Sequence, residues 1–88
     1  MTHAIHDRLA ALPDGYFQAD FAGRHYGVVK RVFNAGRSVK LVGRELGGTD
    51  YISLNLYALA DGRHLLKPCE MPAGKVVDFV AGLKVRDT

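Results

Sequence analysis

The chain has no tryptophan, a single cysteine and only three prolines in 88 residues, and no apolar run approaching the length of a membrane span. Each shortage excludes something. One cysteine cannot build an internal disulfide framework, which suits a reducing compartment. A transmembrane helix needs about 20 consecutive apolar residues, and the opening Met1-Thr2-His3-Ala4-Ile5-His6-Asp7 lacks the basic-then-apolar plan of a secretory signal. The expected setting is therefore the cytoplasm, away from membranes. His3, His6, His25, His64 and Cys69 show no zinc-ligand spacing, so neither a structural metal nor a cofactor is expected. A free Met1-Thr2-His3 terminus can chelate Cu(II) or Ni(II), a property incidental to many chains. Gly47-Gly48 lacks the following Lys-Ser/Thr of a phosphate loop. Ser38 and Ser53 stand in no nucleophile motif. Asp20, Asp50, Asp61 and Asp78 fit turns and surface, with nothing pairing them as acid and base. Catalysis has only Cys69 to stand on.

What is present describes one folded domain over 1–88. A composition 48% hydrophobic and 24% charged is that of a globular protein and not of a disordered one. At this size roughly 60–65% of the unfolded chain's surface can be buried, so the core is small. A net charge of +3 permits an anionic partner without demanding one.

The best-specified segment is 51–58. Ile52, Leu54, Leu56 and Ala58 alternate with Tyr51, Ser53, Asn55 and Tyr57, the mark of a half-buried strand. Around it, Thr2 is a candidate cap for a helix striped by Ile5, Leu9 and Leu12, which Pro13-Asp14-Gly15 ends. Strands are expected near 16–20, 24–33, 37–45 and 63–67, with turns at Phe21-Ala22-Gly23, Asn34-Ala35-Gly36 and Gly47 to Asp50. Asp61-Gly62 reads as a two-residue hairpin. Pro72 suits a first helical residue, and Val76, Phe79, Val80 and Leu83 follow at helical spacing. The predicted fold is α+β: a five-stranded antiparallel meander with an N-terminal and a C-terminal helix on one face. A small Sm/SH3-like barrel is the alternative.

Turn positions also predict registers. A two-residue Ala35-Gly36 loop sets Val32 against Val39, Arg31 against Lys40 and Val29 against Val42. A turn centred on Gly48-Thr49 sets Leu41 against Leu56, Arg44 against Ser53 and Lys40 against Tyr57. Both place Tyr26, Val28, Val32, Val39, Leu41, Ile52, Leu54 and Leu56 on one face, with Lys30 as the misfit. The other face collects His25, Arg31, Lys40, Val42, Arg44, Tyr51, Ser53, Asn55 and Tyr57. Arg31 beside Lys40 costs roughly 0.2–1 kcal/mol unless an anion lies nearby. Cations next to aromatic rings are how single-stranded RNA or DNA is held, phosphates on the cations and bases on the rings. The candidate ligand residues are Arg31, Lys40 and Arg44 for phosphate, Tyr51 and Tyr57 for stacking, and Asn55 for hydrogen bonding. Such residues also suit the wet side of any antiparallel sheet.

Cys69 has three readings: a small apolar residue at a strand end, a reactive thiol favoured by Lys67 and the nearby helix N-terminus, or a soft metal ligand with Met71. The runs 36–41, 45–57 (Glu-Leu-Gly-Gly-Thr-Asp-Tyr-Ile-Ser-Leu-Asn-Leu-Tyr) and 66–72 (Leu-Lys-Pro-Cys-Glu-Met-Pro) resemble a group of short bacterial proteins with no established activity, some labelled peptide methionine sulfoxide reductase. That resemblance implies Cys69 as attacking thiol, with Tyr51 or Tyr57 orienting the sulfoxide oxygen. The chain departs from such reductases in lacking their Gly-Cys-Phe-Trp motif and in its shortness. The expectation is thus a non-catalytic module binding single-stranded nucleic acid or another anionic partner, such as an acidic protein. The alternatives are a thiol redox enzyme and a protein-interaction or self-association module, as monomer or homodimer.

Overall fold

The computed structural model describes residues 2–86, with side chains from Ala4 onward. Helix α1 (Thr2–Ala11) leads into strands β1 (Gly15–Phe21), β2 (Arg24–Phe33), β3 (Ser38–Glu45), β4 (Tyr51–Ala58) and β5 (His64–Pro68). Helix α2 (Ala73–Gly82) and a short strand β6 (Lys84–Val85) complete the order. The sheet is antiparallel and open, β5-β4-β3-β2-β1-β6. Its two outer strands do not meet, so the barrel alternative does not hold. The sheet also has a sixth strand beyond the expected five. After α2, Val85 pairs with Ala19, and the Arg86 amide donates to Gln18 O at 2.9 Å. Two residues are too few to carry a visible alternation.

Alternation decides the rest. Tyr26 and Val28, Leu41, and Ile52, Leu54 and Leu56 point to one side and are buried there with Phe17 and Ala19. The helices lay Ile5, Leu9 and Leu12, then Val76, Phe79, Val80 and Leu83, onto that side. Phe79 is the keystone, its ring edge-on to Phe21 at 5.2 Å and to Tyr26 at 5.0 Å. Gly43 makes room for it, since a Cβ there would lie 3.2 Å from the Phe79 ring.

Lys30, the misfit of this face, is 4% exposed. Its ammonium donates to Leu12 O at 2.8 Å and Ala10 O at 3.3 Å, and pairs with Asp14 at 3.2 Å. A helix ends with carbonyls that have no intrahelical partner and a partial negative charge, so the cation is the cap of α1. Arg8 does the same for α2. Its guanidinium reaches Val80 O at 3.1 Å and also donates to Leu83 O.

Several local expectations need correction. The first long hairpin keeps its register, Arg31 with Lys40 and Val29 with Val42, although its loop is wider and carries Asn34, Ala35 and Gly36 all at positive φ. The next hairpin slips by two residues: Lys40 faces Asn55, Leu41 faces Leu54 and Arg44 faces Tyr51. The Glu45 amide donates to Asp50 O at 2.8 Å, and the Asp50 amide to the Glu45 carboxylate at 3.3 Å. This centres the loop one residue earlier than Gly48-Thr49. Because the slip is even, no side chain changes face. Asp61-Gly62 is not a two-residue loop. Leu59 N donates to Arg63 O at 2.8 Å, leaving Ala60, Asp61 and Gly62 between them with Gly62 at φ 88°, the three-residue hairpin. Pro72 is the extended residue before α2, at ψ 146°, and not its first helical one. The cap role of the Thr2 side chain and the chelating terminus lie outside the described residues.

Candidate functional site

The helices leave the second sheet face open, and pairing arranges that face in rows across neighbouring strands. The central row runs Arg31, Lys40, Asn55, Lys67 over β2 to β5. On one side lies the row Phe33, Ser38, Tyr57, Leu65. On the other side lies Tyr16, Val29, Val42, Ser53, with Cys69 beyond it, and after that Gln18, Gly27, Arg44, Tyr51. Rows are about 6.6 Å apart and strands about 4.8 Å. The rows on β2 to β5 thus cover about 20 by 14 Å.

The proposed residues therefore do share a face, in three groups. Arg31, Lys40 and Asn55 stand in line, Tyr57 is one row away, and Arg44 with Tyr51 is two rows away on the other side. Arg31, Lys40, Arg44 and Tyr51 are exposed, while Asn55 and Tyr57 are half-buried. Lys67 is the residue that sequence reasoning missed. A two-residue Asp61-Gly62 loop would have set it opposite Leu56 on the covered face; the extra loop residue turns it outward beside Asn55. Tyr16, 61% exposed, lies over Gly27, whose missing Cβ would sit 3.0 Å from the tyrosine hydroxyl.

Charge divides the molecule sharply. Arg24, Lys30, Arg63, Lys75 and Arg86 each lie beside a carboxylate, and Arg8 and Arg37 donate to backbone carbonyls. Arg31, Lys40, Arg44 and Lys67 do neither with any of the described residues. The carboxylate paired into the open face is Asp20, at a corner, held by His25 and by Arg86 at 3.3 Å. On the covered side Asp50 accepts from Lys75 at 2.7 Å and Tyr26 at 2.8 Å, with Arg24 4.0 Å away. The Lys75 and Tyr26 hydrogen bonds hold the Asp50 carboxyl below its ordinary range, and burial pushes the Tyr26 phenol up.

Cys69 is half-buried at the face's β5 edge, where the Asn55 amide approaches its sulfur at 3.5 Å. Tyr57 lies two rows from it and Tyr51 one. Among the described residues no three His, Cys, Asp or Glu side chains converge to hold a metal, and no helix is long and apolar enough to cross a membrane. A hollow of about 290 Å³ opens at the Tyr57 end of the face, between the Asn34–Gly36 turn and Leu59. No protein-family model, no curated protein and no solved structure matches the chain.

Proposed function

We propose that the open sheet face binds single-stranded nucleic acid, with no chemistry performed on it. One observation carries the reading: the cations of this face lack the carboxylate or carbonyl partners that nearly every other cation of the chain has. An internal salt bridge explains a cation by the fold; Arg31 against Lys40 raises the energy of the fold and is relieved only by an outside anion. Flat rings beside the cation row favour a polyanion that also carries planar groups, which is a strand of unpaired bases. In this reading Arg31, Lys40, Arg44 and Lys67 contact phosphates, Tyr51 and Tyr57 stack on bases, and Asn55 bonds a base edge or a sugar hydroxyl. A cytoplasmic setting fits such a ligand.

The test is a titration with short oligonucleotides across a salt series. Neutralising phosphates on single strands gives a slope of log affinity against log salt of about −0.7 per contact. Four contacts predict about −3, and Lys40→Ala should flatten that by about 0.7. Binding that ignores salt would end the proposal and turn attention to an apolar protein partner for Phe33, Tyr16 and Leu65.

A further inference from the structure

We infer that the hollow beside Tyr57 is a subsite for one base bearing ring carbonyls, uracil or thymine; this rests on the nucleic-acid reading of the open face. The hollow is bounded by Asn34, Arg37, Ser38, Tyr57, Leu59 and Leu65. At about 290 Å³ it lies just below the 300–1,000 Å³ range of pockets for drug-sized ligands, room enough for one planar ring system.

Its polar groups select the ring. Ser38 Oγ accepts from the Asn34 side-chain amide at 3.0 Å, which occupies one lone pair and leaves its hydroxyl proton to donate. Arg37 uses Nε on Asn34 O at 3.2 Å, and its remaining guanidinium N–H groups are donors as well. A ring that presents carbonyl oxygens answers both. Tyr57 offers an aromatic surface, and Leu65 and Leu59 give the hollow apolar walls. Position supplies the other half of the ligand. Lys40 and Asn55 lie two residues along their strands from Ser38 and Tyr57, about 6.6 Å, within reach of the phosphate of the nucleotide whose base enters the hollow.

The experiment uses the full chain, a six-residue oligothymidylate and six versions of it, each with one abasic residue, at low salt. In the wild type, the position seated in the hollow should lose about 5- to 150-fold in affinity when its base is removed, the worth of one base–aromatic stack, as should a separate position over Tyr51. The loss at the hollow should vanish in Tyr57→Ala. It should vanish also in Leu65→Glu, a change on an exposed edge strand that tests the hollow if Tyr57→Ala fails to fold. Adenine at that position should bind more weakly than thymine. If every abasic loss persists unchanged in both variants, the hollow holds no base, while the phosphate row stands. Equal affinity for adenine and thymine there overturns the selection by donors. If the parent oligonucleotide does not bind at all, the reading of the face fails and the subsite with it.

Discussion

On its covered side the sheet carries Arg24 and Lys30, and both lie among oxygens of the fold; on its open side it carries Arg31, Lys40, Arg44 and Lys67, and none of them does. The two sides also share a device. Each sets an aromatic ring over a glycine, Phe79 over Gly43 within the core and Tyr16 over Gly27 in the open. The first ring is clamped by Phe21 and Tyr26, whereas the second stands 61% exposed. Alternation puts a residue on a face, but partners reveal what the face is for. Where the charges are matched inside the chain, stability is the whole account. Where they are left unmatched, the fold alone does not account for them, and the proposed anionic ligand rests on that difference.

This contrast can be broken by mutation, beginning where the effect is greatest. Phe79→Ala should cost about 3–5 kcal/mol in urea unfolding, a large share of the stability of so small a domain. Tyr51→Ala should cost under about 1 kcal/mol, because surface changes usually stay small. Similar costs for both would make the open face part of the core. Next come neighbours in sequence. Lys30→Met orphans Ala10 O and Leu12 O and should cost about 2 kcal/mol, given about 1–3 for an unsatisfied buried group. Arg31→Met should leave stability within about 0.5 kcal/mol or raise it, since it removes a like-charge pair.

Lys40→Glu separates the two roles most cleanly. It turns the Arg31 pair attractive and should add up to about 0.5 kcal/mol of stability, while weakening oligonucleotide binding about tenfold, or about 1.4 kcal/mol. A joint loss of both would tie the row to the fold. The smallest effect is in pH. Asp50 has its folded pKa lowered, so its contribution is whole above the unfolded value of about 3.9 and is lost as pH falls through the folded one. Asp50→Asn should therefore flatten the acid side of the stability curve. Tyr26 has the opposite sign: its contribution is whole below about pH 10 and fades as pH rises through its raised folded value.

The faces were legible in the sequence because period two survives an even slip. The turn from Gly47 to Asp50 was centred one residue too late, a register slip of two, yet Lys40 and Asn55 remained on one side. The same rule explains the failure at Lys67. There the error was a single loop residue, and an odd shift exchanges faces. Lys30 could be recognised as a misfit but not resolved, because the carbonyls it serves come from a helix 18 residues away. The hollow was invisible for a similar reason, being built where the Asn34–Gly36 turn meets the loop after β4. The edge pairing of Val85 with Ala19 follows from where α2 ends in space, and no local pattern announces it.

The two helix caps have one more consequence. Arg8 rides on α1 but holds the end of α2, while Lys30 rides on the sheet but holds the end of α1. The dependence therefore runs one way. If α2 lifts, the end of α1 keeps its cap; if α1 lifts, α2 loses its own. In hydrogen-exchange terms the helices form a nested pair: an opening of α1 strips the cap from the last carbonyls of α2 and lets its final turn fray, while an opening of α2 leaves the cap of α1 in place. The helix nearest the start of the chain thus bears on the protection of the final turn of the one nearest its end.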